Sequence, residues 1–386
     1  MIGGGIQGCG VAQAAAAAGH KVVLLEQSGL ASATSSRSSK LIHGGLRYLE
    51  SAQFSLVAES LYERGLLIKN APDLVKRVPF YIPIYKHTSR RSWQVFIGLS
   101  AYALLGRLKA EACFRKIPQP KWPELDGLSE RNLQAVYQYS DAQTDDVALT
   151  RAVMYSACEM GAELICPAQF KQASYNNKRY QVGYSHQDSE HELSCRVLIN
   201  ATGPWHNEVQ ARISPEINVP DFELVQGAHL VLRQTSPRGV YYVESPGDRR
   251  AIFVMPWYGQ TLVGTTETKY EGDPEKIKPT EHEVDYLRNI VRHYFPYYDT
   301  TIVDQFAGAR VLPKSNKSMF NRSRDTLYIT DKALPGYVGL MGGKLTGYRR
   351  TAEKVMHILE SESHLIPKPN MTSTRDIKLT KAPDLF

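Results

Sequence analysis

The sequence predicts a mixed fold, α/β joined to α+β, in which a Rossmann-like domain is interwoven with a mainly antiparallel β domain. Three observations predict it. Gly3, Gly5 and Gly8 stand in the order G-x-G-x-x-G, ahead of an alanine-rich run that closes at Gly19. Val22–Glu26 is then a short apolar run ending in an acid, with Glu26 placed 18 residues past Gly8, near the spacing of roughly 20 that a ribose-binding carboxylate takes. Residues 216–312 are instead dense in short β-rich runs, at Leu224–Leu232, Val240–Val243, Ile252–Pro256 and Thr261–Gly264, as in an antiparallel sheet.

The three glycines have separate tasks: a tight turn off a strand, a backbone that can approach a pyrophosphate, and close packing of the next helix on the sheet. That helix is expected from about Gly8 to Gly19, where its first N–H groups and its dipole favour an anion. The same residues could form a glycine-rich loop without a ligand; the order strand, loop, helix, strand, acid favours the dinucleotide. Only Met1 and Ile2 precede the loop, whereas a buried strand usually has about five residues, so a mis-set or truncated N-terminus is expected.

Residues 31–48 (ASATSSRSSKLIHGGLRY) form a hydroxyl-rich loop with paired glycines, either solvated or wrapped around a phosphate with N–H and Oγ donors. Apolar spacing predicts a helix over 53–70, and residues 79–85 read as a proline-bounded strand. Residues 93–105 (WQVFIGLSAYALL) are the most apolar piece, flanked by Arg90, Arg91, Arg107 and Lys109. They read as an interfacial anchor or as a buried helix of the second domain, and are too short to span a bilayer.

Asp145 and Asp146 open a helix that reaches Gly161, followed by short strands over 162–186 and a buried strand at Arg196–Asn200 that enters a glycine turn. Glu281–Phe295 is a helix, Phe306–Val311 leads back, Tyr337–Met341 is a last strand, and Gly342-Gly343-Lys344 opens a last helix. The domains expected are 1–78, 140–215 and 305–360 for the Rossmann-like part and 79–139 and 216–304 for the second, with 361–386 a loose tail.

The length of 386 residues suits one large enzyme domain or two interwoven ones, and 42% apolar with 22% charged residues is a globular balance. The net charge is +7 without a long Lys/Arg block, so nucleic acid is not expected, while an anionic substrate or an anionic membrane surface is compatible. Cys9, Cys113, Cys158, Cys166 and Cys195 are scattered with no C-x-x-C pair, which predicts a reducing compartment, no disulfide framework and no metal site. No signal-peptide pattern and no run of ~18 apolar residues is read in the sequence.

Ile2–Gly10 (IGGGIQGCG), Ser35–Glu50 (SSRSSKLIHGGLRYLE) and Gly342–Ala352 (GGKLTGYRRTA) carry a resemblance, with Asn200–Trp205 (NATGPW) and Gly264–Thr266 (GTT) in support. From residue 1 to about 360 the chain resembles the FAD-dependent glycerol-3-phosphate dehydrogenase/oxidase family, within the D-amino-acid-oxidase-like flavoproteins. The resemblance implies an FAD-binding domain of the glutathione-reductase/D-amino-acid-oxidase type beside a substrate domain. It implies the FAD pyrophosphate on Gly3, Gly5, Ile6 and Gly8 and the adenosine ribose on Glu26. Thr34, Ser35, Ser36, Lys40, His43, Gly44 and Gly45 would flank phosphate and flavin, and Thr202 and Gly203 would touch the cofactor from the returning strand. Gly343, Lys344, Leu345 and Thr346 would turn their N–H groups to the flavin pyrimidine. Ala14 and Ala18 stand where the family usually carries an aspartate and an arginine.

Arg47, Arg310, Arg324 and Lys344 sit in or lead to the flavin-side motifs, Tyr48 can add a hydroxyl, and a phosphate favours such cationic forks. Each cation taken alone reads as a surface salt bridge. The family implies oxidation at C2 of sn-glycerol 3-phosphate to dihydroxyacetone phosphate, with hydride passing to flavin N5. His43 or His229 would be the base and Arg310 would polarise the forming carbonyl; His229 also reads as a hydrogen-bonded core residue. The partners expected are glycerol 3-phosphate and a quinone or oxygen as electron acceptor, with a membrane surface and a homodimer left open. The location expected is cytoplasmic, with peripheral attachment to the inner face of the cytoplasmic membrane as its variant. Two other readings stand beside this one: a flavin oxidoreductase acting on an amino acid or 2-hydroxy acid, or a truncated, non-catalytic paralogue.

Overall fold

The computed structural model describes residues 1–107, 113–314, 325–363, 372–384 and 386. In chain order the first half contains α1 (Ile6–Ala17), β1 (Val23–Leu25), β2 (Leu41–Ile42), α2 (Phe54–Asn70), β3 (Val75–Tyr85), α3 (Ser92–Leu105), β4 (Arg115–Lys116), β5 (Leu133–Thr144), α4 (Asp146–Glu159), β6 (Glu163–Ile165), β7 (Gln169–Asn176), β8 (Arg179–His186) and β9 (Ser189–Cys195). The second half contains β10 (Leu198–Asn200), α5 (His206–Gln210), β11 (Ile213–Ser214), β12 (Phe222–Leu232), β13 (Val240–Glu244), β14 (Ala251–Trp257), β15 (Gln260–Gly264), β16 (Thr268–Tyr270), α6 (Glu281–Tyr294), β17 (Ile302–Pro313), β18 (Leu327–Ile329), β19 (Tyr337–Met341) and α7 (Tyr348–Ser363).

The Rossmann-like sheet is joined at its centre by Ile2. β1 pairs with β6 and β10 with β19, both in parallel, and Ile2 bridges Leu25 on one side and Asn200 on the other, also in parallel. Four backbone bonds of 2.9 Å secure it: Ile2 N–H to Ile199 O, Ala201 N–H to Ile2 O, Leu25 N–H to Met1 O, and Gly3 N–H to Leu25 O. Two residues therefore occupy the central strand position that the glycine loop must leave from.

α1 is apolar nearly all round because it is covered on two sides. Cys9, Ala12 and Ala16 pack with Leu149, Val153 and Met154 of α4, while Val11 and Ala14 pack with Val355 and Leu359 of α7. Its small residues permit that closeness: a Cβ on Gly10 would come 2.6 Å from the Tyr348 ring.

The second sheet has ten strands in the order β16-β12-β15-β14-β13-β3-β5-β2, with β17 on β12 and β4 on β5, and all pairs but β13–β3 are antiparallel. A smaller sheet, β11-β7-β8-β9, stands apart. α6 starts with a Thr280–Glu283 capping box and packs Leu287, Ile290, Val291 and Tyr294 on Leu230, Leu232 and Val263 of the large sheet.

The large sheet runs across the expected limits at 78/79, 139/140 and 304/305, because β3 and β5 pair from Val75↔Thr144 to Tyr85↔Leu133 and β17 pairs along β12. The last helix starts at Tyr348, not Gly342: Gly342 and Gly343 have φ of +76° and +97°, which a right-handed helix does not hold, so the GGK stretch is a turn ahead of it. The described part of the expected loose tail is docked. Leu379 is buried in the core under α1, its N–H donates to Asn70 O at 2.8 Å, and the Phe386 ring meets Tyr155 edge-on at 5.3 Å. α3 splits the two readings of its sequence. It buries Val95, Leu99, Tyr102 and Ala103 and exposes Trp93, Phe96, Ile97 and Leu104. No helix among the described residues is long and apolar enough to cross a membrane.

Candidate active site

A cavity of about 940 Å³ lies between the two sheets, lined from both of them. At one end are the β-strand ends of the Rossmann-like sheet, where open α/β sheets take their ligands. Gly3, Gly5, Ile6, Glu26, Thr34, Ser35, Thr202 and Gly203 line this end. Gly3 has φ +104°, and a Cβ there would stand 2.7 Å from Ala201 O, so only glycine makes this turn. Gly5 N-caps α1 with no side chain of its own, and Ser35 lies over the helix end, its Oγ accepting the Ile6 N–H at 2.9 Å. Gly8 stands behind the loop rather than in the cavity: its Cβ would fall 2.0 Å from Gly3 O, so it serves the packing of α1.

Glu26 is buried, its Oε2 accepting from Gly4 N–H at 2.6 Å and its Oε1 from Ser28 N–H at 2.8 Å and Gly29 N–H at 3.2 Å. These bonds fix the carboxylate at the cavity wall. Thr202 is oriented by Asn200, whose Oδ1 accepts from its hydroxyl at 2.6 Å. A dinucleotide takes its phosphates at a glycine-rich helix N-terminus and its ribose on a fixed acid; this end of the cavity has such a helix start, with the Ser35 hydroxyl on it, and such an acid.

Four of the expected cofactor residues lie outside the cavity lining, Gly8 among them. Lys40 turns inward, its Nζ 2.6 Å from Asp146 at the start of α4 and 5.0 and 5.2 Å from the ring centres of Phe306 and Trp257. A lysine this buried needs a counter-charge, and Asp146 is that partner. Ser36 donates its hydroxyl to Ala33 O at 2.9 Å. Gly44 gives its N–H to the Tyr102 hydroxyl.

The same cavity gathers further candidates. His43, Gly45, Arg47, Tyr48, His229, Arg310, Gly343, Lys344, Leu345 and Thr346 all line it. Gly45, at φ +75°, turns the chain so that Tyr48 folds back against it. The Tyr48 ring has Lys344 Nζ 4.2 Å and the Arg47 guanidinium 5.9 Å from its centre, so two cations lie over one aromatic ring. Thr346 ties the two loops, accepting the His43 N–H on its Oγ1 at 3.3 Å. Arg310, inside β17, pairs through Nη1 with Glu267 at 2.9 Å. Arg324 lies outside the described residues.

His229 is 1% exposed, stacked on Phe306 with centres 4.9 Å apart, and its Nε2 stands 3.0 Å from Ser39 Oγ. Burial, then Arg310 and Lys40, hold its pKa well below the usual histidine range, so the ring is neutral near pH 7 and its protonated form is disfavoured. It is a packed core histidine, and it also lines the cavity.

Sequence reasoning missed Ser39, Arg250, Glu267 and Tyr242, all of which line the cavity. Glu267 is held twice, its carboxylate by Arg310 and its carbonyl by Arg250 Nη1 at 2.9 Å. Its place directly after the GTT stretch was a signal that could have found it; Tyr242, inside an apolar strand, carried none.

The family model described as FAD dependent oxidoreductase matches residues 1–349. The chain is 34% identical to D-erythritol 1-phosphate dehydrogenase of Brucella abortus, over 98% of this chain and 76% of that protein. It is 35% identical to aerobic glycerol-3-phosphate dehydrogenase of Escherichia coli, over 93% of this chain and 72% of that protein. Its fold is similar to that of the glycerol-3-phosphate dehydrogenase from Bacillus halodurans complexed with FAD, with a TM-score of 0.76, 25% identity, and coverage of 98% of this chain and 66% of that one.

Proposed function

From the premise that the chain belongs to the FAD-dependent oxidoreductase family, we propose that it oxidises the secondary alcohol of a small polyol phosphate, sn-glycerol 3-phosphate giving dihydroxyacetone phosphate. One observation supports this most: Arg47, Lys344 and Arg310 line the same cavity as two histidines, against the end of a dinucleotide cradle. A phosphomonoester is held by several cations, where a carboxylate substrate is served by one arginine fork.

FAD, when bound, supplies the acceptor for the hydride leaving the carbinol carbon. The protein residues do the rest. Arg47, Lys344 and the Tyr48 hydroxyl grip the phosphate, and His43 stands beside the reacting carbon. His229 or His43 takes the hydroxyl proton. Arg310 lends positive charge to the oxygen as it becomes a carbonyl. A second reading has a specific support, the relative named for D-erythritol 1-phosphate: the same groups would grip its phosphate, and its longer polyol would reach toward Glu267 and Arg250.

The exposed face of α3 is the proposed site of peripheral attachment. Trp93, Phe96, Ile97 and Leu104 present apolar area to solvent, and Arg91 and Arg107 border it. An anionic lipid surface of the inner leaflet matches both, and would place the enzyme near a quinone as electron acceptor.

Anaerobic mixing of the FAD-loaded protein with each compound tests the central claim. Glycerol 3-phosphate or erythritol 1-phosphate should bleach the flavin absorbance, and lactate or D-alanine should not. Bleaching by lactate or D-alanine alone would return the protein to amine or hydroxy-acid chemistry. A purified protein that retains no flavin would favour the non-catalytic paralogue.

A further inference from the structure

A line of buried polar contacts runs from α2 through β5 and α3 to the loop that carries His43. Arg64 of α2 pairs with Asp141 of β5, both nearly inaccessible. The Tyr102 hydroxyl of α3 meets the two Asp141 carboxylate oxygens at 3.0 and 2.8 Å. The same hydroxyl accepts the Gly44 N–H at 2.9 Å. Gly44 has no freedom there, since a Cβ would stand 2.4 Å from the Tyr102 hydroxyl and 2.6 Å from Leu61 Cδ2.

Gly44 does not line the cavity, but His43 and Gly45 on either side of it do. The Gly44 amide is thus a fixed point between two residues that enter the site. A phenylalanine at 102 would fill nearly the same volume. It would leave a buried N–H without an acceptor, at a cost of ~1–3 kcal/mol in general terms. Burial and Asp141 push the Tyr102 phenol well above its usual range, so the hydroxyl keeps its proton for Asp141 while accepting from Gly44.

We propose that Tyr102 is a positioning residue: its hydroxyl, oriented by Asp141 and Arg64, pins the Gly44 amide and so fixes the His43 imidazole in the site. This rests on the functional reading above, in which His43 stands beside the reacting carbon. Tyr102 itself reaches neither substrate nor cofactor and acts only through the loop backbone.

The test compares Tyr102→Phe with Leu61→Ala, both loaded with FAD. Leu61→Ala loosens packing against the same glycine but leaves the hydrogen bond in place. Tyr102→Phe should keep its flavin and its KM for the polyol phosphate within about twofold, while anaerobic flavin reduction slows roughly tenfold to a hundredfold, the scale of a misplaced reacting group. Hydrogen exchange of the segment 41–46 should accelerate by about tenfold or more, as expected when a buried amide loses its acceptor. Leu61→Ala should lower the thermal midpoint without slowing reduction comparably. A Tyr102→Phe protein that reduces at the wild-type rate, or whose 41–46 segment exchanges as before, overturns the role of Tyr102. So does a Leu61→Ala protein that reproduces the same slow reduction at equal flavin content. Silence of the wild type toward both phosphates is a different result, which overturns the functional reading and this role with it.

Discussion

His206 follows the NATGPW stretch and is fully buried beside the sheet, where burial lowers its pKa to about 4. In an unfolded chain the same ring titrates near 6.5, so the unfolded state binds a proton that the folded state refuses. The stability carried by the neutral ring is present above pH ~6.5, declines as pH falls toward 4, and is gone below that. The difference corresponds to about 3 kcal/mol. Replacement by a non-titrating side chain, His206→Gln, should therefore flatten the acid limb: its thermal midpoint should fall less between pH 7 and pH 4 than that of the wild type. Parallel losses in the two proteins would show that other groups set the acid limb. At the same scale, Lys40 and Ser36 show what residue type leaves unsaid. Both lie within a stretch whose neighbours line the cavity, yet Lys40 turns to Asp146 and Ser36 to Ala33 O. The stretch SSRSSK was legible as a cavity wall; which side chains face inward depends on φ and ψ at each residue and on a partner 106 residues away.

The elements that were legible are those whose own sequence decides them. α6 carries its capping box and an apolar stripe, α4 its Asp145 cap, and α2 its leucine spacing. Those that were not are decided by neighbours. Ile2 is a strand only because Leu25 and Asn200 flank it, and the docked residues around Leu379 owe their place to Asn70. The glycine turn of the cradle allows a matched test of this distinction. Gly3 has positive φ and a backbone oxygen where a Cβ would be, whereas Gly65 lies in the interior of α2 with nothing within 4 Å. Gly3→Ala should destabilise the protein by ~2 kcal/mol or more and release FAD on gel filtration, since strain and collision fall on the turn proposed to take the pyrophosphate. Gly65→Ala should raise stability by ~0.5–1 kcal/mol through helix propensity alone and leave flavin content intact. A Gly3→Ala protein that keeps full flavin and an unchanged midpoint would show that the loop tolerates side chains and that the cradle is not set by this turn.

At the scale of the whole molecule, one sheet supplies the glycine turn and Glu26, the other supplies His229 and Arg310, and the loops between them supply Arg47, Tyr48 and Lys344. The general division into two sheets was legible from the fingerprint and the β-rich middle, but the ten-stranded sheet was not, because pairing of β3 with β13 joins segments about 160 residues apart and leaves no local pattern. The outer face of α3 is a whole-molecule question too, since an apolar surface acquires meaning only from what covers it. Trp93 is 63% and Leu104 66% exposed, while the helix stays anchored by Val95, Leu99 and Tyr102 beneath. Substitution on the outer face should therefore leave the fold intact. Trp93→Ser with Ile97→Ser should keep flavin content and activity on soluble acceptors but weaken cosedimentation with anionic vesicles roughly tenfold or more, by loss of buried apolar area. Neutral vesicles should bind the wild type less, because Arg91 and Arg107 then lack partners, each worth about 1 kcal/mol near an anionic surface. Equal binding of wild type and variant to anionic vesicles would remove the lipid surface as the occupant of this face. A wild type that runs as a dimer and a double variant that runs as a monomer would assign the face to a second copy of the chain.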